Sequence, residues 1–520
     1  MDNLKKSFFV PSIADMVFLS VFLFIALSTG KGLLSDCDTG YHIRAGEFIL
    51  NTFSIPKQDI FSYLSPPLNW TAHEWLSEVI MALVHNSFGL TGIVVFFSFI
   101  IAAVYYLLFK GIQTDKGNIL VTLMIVLLVV GASQIHWLAR PHIFSLLLMV
   151  IWYFFLDSYQ YRGRNYLYLL PLIMLLWVNL HGGFIAGFIL IGIYFFGNLV
   201  DFFLSRNGEK NEYRKKVKIF GLAAVASLLV SIINPYGYHI LQFPFKLTSD
   251  KFIMDSVSEF LSPNFHEPII FKYLLLFGIA VFAASGKRLN FIELTLVLLF
   301  TYMSLYSARY IPLFGVITAP ILNRRVEYML KPEGRLADFF KKRAERISSV
   351  DVSSKCWLWP VAAILAVVFM ASSGKIKYGF DEKIKPVAAV EFLKKEHLSG
   401  NMFNNDEFGD YIIYAVWPEY KVLFDGRSDM YGAERLKEYF KVARIEAGLY
   451  DVLKKYDVNW IIFDAKSALS QFLLQREDWK LIYADKVANI FLRNIQGNKI
   501  LIEKYKDVRP VSEEKDNKEK

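Results

Sequence analysis

Two aspartates two positions apart, Asp36 and Asp38, follow the first long apolar run, in the stretch SDCDTGYHIRAGEFILNTF. An acidic pair with this spacing has two chemical uses: one carboxylate can take a proton as general base, or both can hold a hard divalent cation, magnesium or manganese, through oxygen. Asp38 and His42 are four apart and share a face if the segment is helical. Arg44 comes next, and His73-Glu74 close the same polar stretch. Each of these also has a structural use. Asp38 precedes TGYHIRAGEF as a helix N-cap, Glu74 suits a first helical turn, and His42 and Arg44 suit interfacial anchors.

Other polar residues interrupt long apolar runs. Arg140-Pro141-His142 puts a guanidinium where it could face a phosphate, or reach to lipid headgroups. Trp177, Asn179, His181 and Gly182-Gly183 form a second cluster, which could contact a substrate or bond its own turn. Arg309-Tyr310 is a further phosphate candidate, and Asn234-Pro235-Tyr236-Gly237 reads first as a turn. The segment FDGRSD, residues 424–429, looks like a metal or phosphate loop, although Asp-Gly turns are common. No Walker A, HExxH, paired CxxC or GxGxxG pattern is present.

The elements that must position these residues belong to a polytopic α-helical membrane protein. The hydrophobic fraction is 54% over 520 residues, and mean hydropathy is +0.35. The net charge of +9 could suggest nucleic acid, but most of the Lys and Arg in the membrane part fall in alternate short loops, the positive-inside pattern. Apolar runs at 14–33, 89–109, 118–136, 143–160, 166–180, 183–204, 217–233, 269–285, 290–306, 309–323 and 356–373 give about eleven spans, taking roughly 20 residues per span and fewer where helices are short. The basic loops, with Lys5 and Lys6, then lie on the cytoplasmic side of the membrane. The N-terminal run reads as an uncleaved first span. Nearly all the unusual polar residues fall on the opposite face. Cys37 and Cys356 are placed near opposite faces, which argues against a disulfide.

Three domains follow: 1–373 in the membrane, 374–500 as a small extracytoplasmic α/β domain, and 501–520 as a charged tail. Within the first outer loop, 34–88, helical spacing predicts two amphipathic surface helices, one over Tyr41–Thr52 and one over Trp75–Leu83. In the C-terminal domain, strands are predicted at 401–404, 421–424, 459–463, 480–483 and 489–492. Helices are predicted at 386–397, 407–416, 433–456 and 466–475.

With these features in place the chain resembles the GT-C superfamily of polytopic membrane glycosyltransferases, which includes protein O-mannosyltransferases, aminoarabinose transferases and oligosaccharyltransferases. The resemblance rests on the acidic pair after the first span, two helices in that loop, and an outer C-terminal domain. The stretches DTGYHIRAGEFIL, TAHEWLSEV, ARPHIFS, WVNLHGGF, NPYG and FDGRSDMYG look like an uncharacterised bacterial branch of it. A WWDYG-type motif is lacking, which argues against the oligosaccharyltransferase subgroup. The resemblance implies a polyprenyl-phosphate-linked sugar donor, a lipid, glycan or protein acceptor on the extracytoplasmic side, and Asp38 as general base. Asp36 or Glu74 would orient it or hold the cation, and Arg140, His142 and Arg309 would face the phosphate. Two other readings are a lipid or sugar transporter, and a non-catalytic assembly protein with an outer binding domain.

Overall fold

The computed structural model describes residues 9–36, 38–114, 117–206, 208–330, 335–353 and 357–511. Cys37, Cys356, Lys5, Lys6, Lys116 and the end of the charged tail lie outside them. The described chain is mostly helical, with one small mixed sheet near the C-terminus. Among the described residues, five helices are long and apolar enough to cross a membrane: Ile13–Leu33, Trp75–Gln113, Ile119–His136, His142–Arg162 and Gly182–Leu204. Shorter apolar helices occupy Leu167–Leu180, Phe271–Ala284, Phe291–Tyr306 and Leu358–Ser372. The remaining two predicted runs, 217–233 and 309–323, fall largely on the helices Lys210–Val230 and Ile311–Met329. The chain is therefore a multi-pass membrane protein.

Local chemistry sets several helix ends. Ser12 accepts from Asp15 N at 3.1 Å while Asp15 Oδ2 accepts from Ser12 N at 2.8 Å, a reciprocal cap that starts the first span. Asn290 and Glu293 form the same device ahead of Phe291–Tyr306. The helix over Trp75–Gln113 is broken at Gly89, whose φ of 62° a residue with a Cβ rarely adopts. That break falls where the predicted surface helix gives way to the predicted span.

The chain divides into two compact units. The first comprises Met1–Gly30, Thr91–Ser249 and Met254–Lys377; the second comprises Lys31–Leu90, Asp250–Ile253 and Tyr378–Lys520. The sequence alone attaches the first outer loop to the membrane part, whereas its contacts place it in the second unit. The expected tail from 501 includes the end of a helix, Lys499–Lys504.

In the second unit, β1 (Asn401–Asn404), β2 (Val458–Asp464), β3 (Trp479–Ala484) and β4 (Ala488–Arg493) form a sheet in the order β1-β2-β4-β3. β1 runs parallel to β2, and the other pairs are antiparallel. The predicted strand at 421–424 does not form. Val422 makes only an isolated parallel bridge to Ser62. The amides of Leu423 and Phe424 instead donate to the Asn404 side chain at 2.9 and 3.4 Å. A side-chain amide thus does the work of a ladder. The predicted helix 433–456 is two helices, Ser428–Ala443 and Leu449–Lys455, separated where Gly448 takes a φ of 90°.

Candidate functional site

Asp38 precedes the helix Thr39–Thr52, but its side chain makes no capping hydrogen bond to that helix. Its carboxylate is directed elsewhere. A Cβ on Gly426 would collide with Asp38 Oδ1 and lie 3.1 Å from Asp410 Oδ2. Gly426 N donates to Asp410 Oδ2 at 3.1 Å. Two carboxylates from distant parts of the sequence therefore meet over one glycine, and any side chain there would occupy their space. The helix Thr39–Thr52 reaches this position because its own glycines allow close packing. A Cβ on Gly40 would strike the carbonyl of Asp410, and one on Gly46 would strike that of Glu78. Tyr41, Ala45 and Ile49, on the apolar face predicted for the membrane surface, are thus buried within the protein.

Asp38 is 6% exposed, and Asp410 is fully buried. Burial pushes the Asp410 carboxyl well above the usual carboxylate range, and the nearby charges of Asp38 and Asp425 push the same way. Asp36 lies within electrostatic reach of Asp410 and Glu407. Next to Gly426, Arg427 donates to Asp425 at 2.8 and 2.6 Å and to Asp59 at 2.7 Å. Its guanidinium lies 4.6 Å from the Trp70 ring centroid and 4.9 Å from that of Phe61. Burial alone would favour losing its proton, but Asp425 and Asp59 outweigh that and hold Arg427 well above its ordinary range. Burial likewise works to raise Asp59, but Arg427 and hydrogen bonds from Ser62 and Phe61 bring it below the usual value.

The other candidates of the outer loop are engaged with neighbouring side chains and backbone. His42 Nδ1 lies 3.3 Å from Glu78 Oε1, and Glu74 lies 3.7 Å from both His42 and His73. His42 therefore turns to glutamates of the Trp75–Gln113 helix and its approach. Arg44 donates to the carbonyl of Tyr414 at 2.7 and 2.5 Å and to Glu47 at 2.6 Å. These contacts tie it to the helix Asp406–Val416, an architectural use. Among the described residues, no group of three or more His, Cys, Asp or Glu side chains is arranged to hold one metal ion.

In the first unit a cationic cluster forms. Arg140 is ion-paired with Glu259. The segment carrying Glu259 is fixed by Ser307 Oγ, which donates to the Glu259 carbonyl at 2.9 Å, and by Ala308 N, which donates to Leu261 O at 3.0 Å. Arg309 lies 5.0 Å from the Phe260 ring centroid. Burial works to raise Glu259, but Arg140 and Arg309 hold it below the usual glutamate range. His142 Nε2 lies 3.0 Å from the carbonyl of His136, and the two imidazole rings are 4.3 Å apart. Arg309, Arg140 and His181 are charged or titratable neighbours of His136. His181 Nδ1 accepts from Gly183 N at 2.9 Å and lies 2.7 Å from Ser145 Oγ, which also accepts from Trp177 Nε1 at 2.7 Å. Asn179 donates to the carbonyls of Leu175 and Ile233 at 2.8 and 3.1 Å, so its amide bonds back within its own helix and across to a distant segment.

Arg140, His142, His181 and Arg309 are thus brought together, and Asn179 is engaged with backbone. Sequence reasoning missed His136, Glu259 and Asp410. Asp410 carries a readable signal: an acid on the apolar stripe of DEFGDYIIYAV, next to Phe408, Tyr411 and Ile412.

The fold resembles those of solved oligosaccharyltransferases. It is similar to the apo form of the oligosaccharyltransferase of Archaeoglobus fulgidus, with a TM-score of 0.55 and 11% identity over 93% of this chain and 74% of that one. It is also similar to the archaeal oligosaccharyltransferase AglB from Archaeoglobus fulgidus in complex with an inhibitory peptide and a dolichol-phosphate, with a TM-score of 0.53 and 13% identity over 87% and 69%. A third structure, tethered by a disulfide to an acceptor peptide containing the NVT sequon, gives a TM-score of 0.52 and 13% identity over the same shares. At such identities the likeness concerns the fold alone. No protein-family model and no curated protein matches the sequence.

Proposed function

We propose that this chain is a GT-C-type membrane glycosyltransferase that moves a sugar from a polyprenyl-phosphate-type lipid to an acceptor on the extracytoplasmic side. In this reading about eleven helices span the bilayer, several of them short. The N-terminus is cytoplasmic, and the sheet-bearing unit is extracytoplasmic. The observation that carries the reading is Asp38. Its carboxylate is not spent on its helix end and is held over Gly426 beside Asp410. The fold likeness supports it, while the missing WWDYG-type motif leaves the acceptor class open to glycans and lipids as well as protein.

The chemistry assigned is simple. An acceptor oxygen attacks the anomeric carbon, and its proton passes to Asp38. The bond from that carbon to the phosphate oxygen breaks, and the lipid phosphate leaves with the electron pair. Arg140, His142 and Arg309 are the groups assigned to that negative charge, since fixed cations stabilise a leaving phosphate. Among the described residues, the expected divalent cation on Asp36 and Asp38 gains no third His, Cys, Asp or Glu ligand.

The test compares membranes carrying the wild-type chain or Asp38→Asn, supplied with a polyprenyl-phosphate-linked labelled sugar. Loss of a general base is expected to lower transfer about 10²- to 10⁴-fold, with insertion and folding intact. Wild-type transfer by the variant would overturn the role of Asp38. Accumulation of sugar in vesicles without a covalent product would favour a transporter.

A further inference from the structure

The helix Arg335–Ser353 contributes none of the residues described above. It lies between the helices Ile311–Met329 and Leu358–Ser372, and its sequence, RLADFFKKRAERISSVDVS, is too charged to cross a bilayer. Its last turn is tied to the start of the first span: Ile13 N donates to Asp351 Oδ1 at 2.6 Å. Ala344 is buried, and the helix packs on Ile119–Ser133. The helix therefore sits at one end of the spans, with one side against the protein.

The outward side has a different character. At 3.6 residues per turn, Phe339, Lys342, Arg343, Arg346 and Val350 fall on one arc of roughly 100°, and Ala344 falls on the other side. Phe339 is 51% exposed and Val350 53%. The three cations are exposed with them. The Arg343 guanidinium lies 5.1 Å from the Phe339 ring centroid. Asp338, Glu345 and Asp351, the acids of this helix, all fall outside the arc.

We propose that this arc is a docking surface for anionic phospholipids. Lys342, Arg343 and Arg346 engage the lipid phosphates, and Phe339 and Val350 reach past the headgroups to the acyl boundary. Exposed apolar side chains flanked by cations suit that boundary, because the long basic side chains can keep their charges among the headgroups. Two other occupants fit less well. A second copy of the chain would set like charges against each other across a two-fold axis. A nucleic acid would satisfy the cations but leave Phe339 and Val350 without use. The anchoring of the helix at the start of a span favours lipid, since it holds the arc at the level of the bilayer surface. The inference is independent of the transfer reaction and uses none of its residues.

The test titrates the full chain in detergent with an equimolar mixture of phosphatidylglycerol and phosphatidylcholine. Native mass spectrometry counts the lipids retained. The wild type is expected to prefer phosphatidylglycerol. Replacing Lys342→Gln, Arg343→Gln and Arg346→Gln together is expected to lower that preference on the order of 100-fold at low salt, about fivefold for each charge near a lipid surface. The difference is expected to shrink at high salt. The substituted side chains are exposed, so the fold is expected to persist. A control removes three exposed charges from the helix Lys210–Val230, by Arg214→Gln, Lys215→Gln and Lys218→Gln, and is expected to keep the preference. The proposal is overturned if the first variant keeps the wild-type preference, or if the control loses as much. It is equally overturned if the first variant instead loses a dimer or a co-purified nucleic acid that the wild type carries.

Discussion

Around Gly426 the side chains that meet are acidic, Asp38, Asp410 and Asp425, and a single guanidinium is shared between Asp425 and Asp59. Around Arg140 the balance is reversed. Arg140, Arg309, His136, His142 and His181 are answered by one carboxylate, Glu259. Acidic groups predominate at the first centre, where Arg427 and Lys385 are nearby cations, and basic groups predominate at the second. An excess of buried carboxylate is relieved by taking up protons or cations, and an excess of arginine and histidine by anions. Under the proposed reaction, the acidic centre would take the acceptor proton and the basic one would face the phosphate.

The largest effect that would break this contrast is expected from removing the buried guanidinium of the acidic centre. Arg427→Met leaves Asp59 and Asp425 buried without their cation and should cost about 3–5 kcal/mol. Thermal unfolding of the purified protein would report it. Full stability in that variant would contradict the assigned pairing. Smaller effects separate the two centres by function. Gly426→Ala pushes on Asp38 Oδ1, and Gly183→Ala would place a Cβ 2.6 Å from Ser145 Oγ and 2.8 Å from His181 Nδ1. Each overpacked side chain should cost about 1–3 kcal/mol. The first is expected to lower kcat at unchanged donor KM, and the second to raise donor KM. Identical kinetic signatures would erase the distinction.

The gentlest probe is pH, and the two buried aspartates of the second unit should respond with opposite sign. Asp59 is held below its unfolded value, so its contribution is present above about pH 3.9 and is lost as pH falls through the folded value. Asp410 is held above its unfolded value by burial and by Asp38. Its contribution is complete below about pH 3.9 and is lost as pH rises through the folded value. A pH series of unfolding temperatures should therefore lose its acid limb in Asp59→Asn and its rise-of-pH limb in Asp410→Asn. Unchanged limbs would remove the basis for treating the two groups differently.

Much of this was written locally in the chain. Apolar runs of span length are visible without neighbours, and so are the four strands that formed, because period and length act along the sequence. Asp38 stands out by its spacing from Asp36 and by its place beyond an apolar run. What could not be read is what long-range contact decides. Asp410 lies some 370 residues from Asp38, as order-of-magnitude sequence separation, and only the fold brings them over Gly426. The segment 421–424 has strand composition but is satisfied by Asn404, a side-chain substitute that no periodicity announces. The outer loop looks like a membrane-surface element because its helices are amphipathic. Tyr41, Ala45 and Ile49 of the first helix are buried, and that helix packs on Asp406–Val416, encoded far away in the sequence, whereas Leu83 of the second helix stays exposed.

The edge of the sheet carries one more consequence. β1 has a strand neighbour on one side only. Its other side is occupied by the Tyr63 hydroxyl, which donates to the Met402 carbonyl at 2.8 Å, and by the Asn404 side chain bonded to residues 423 and 424. A bare edge strand is a template for self-association. Tyr63 belongs to the segment between the first two spans, so a fragment cut at residue 378 would lose that guard and present β1 to its copies. Any soluble version of the C-terminal unit would have to bring residues 31–90 with it.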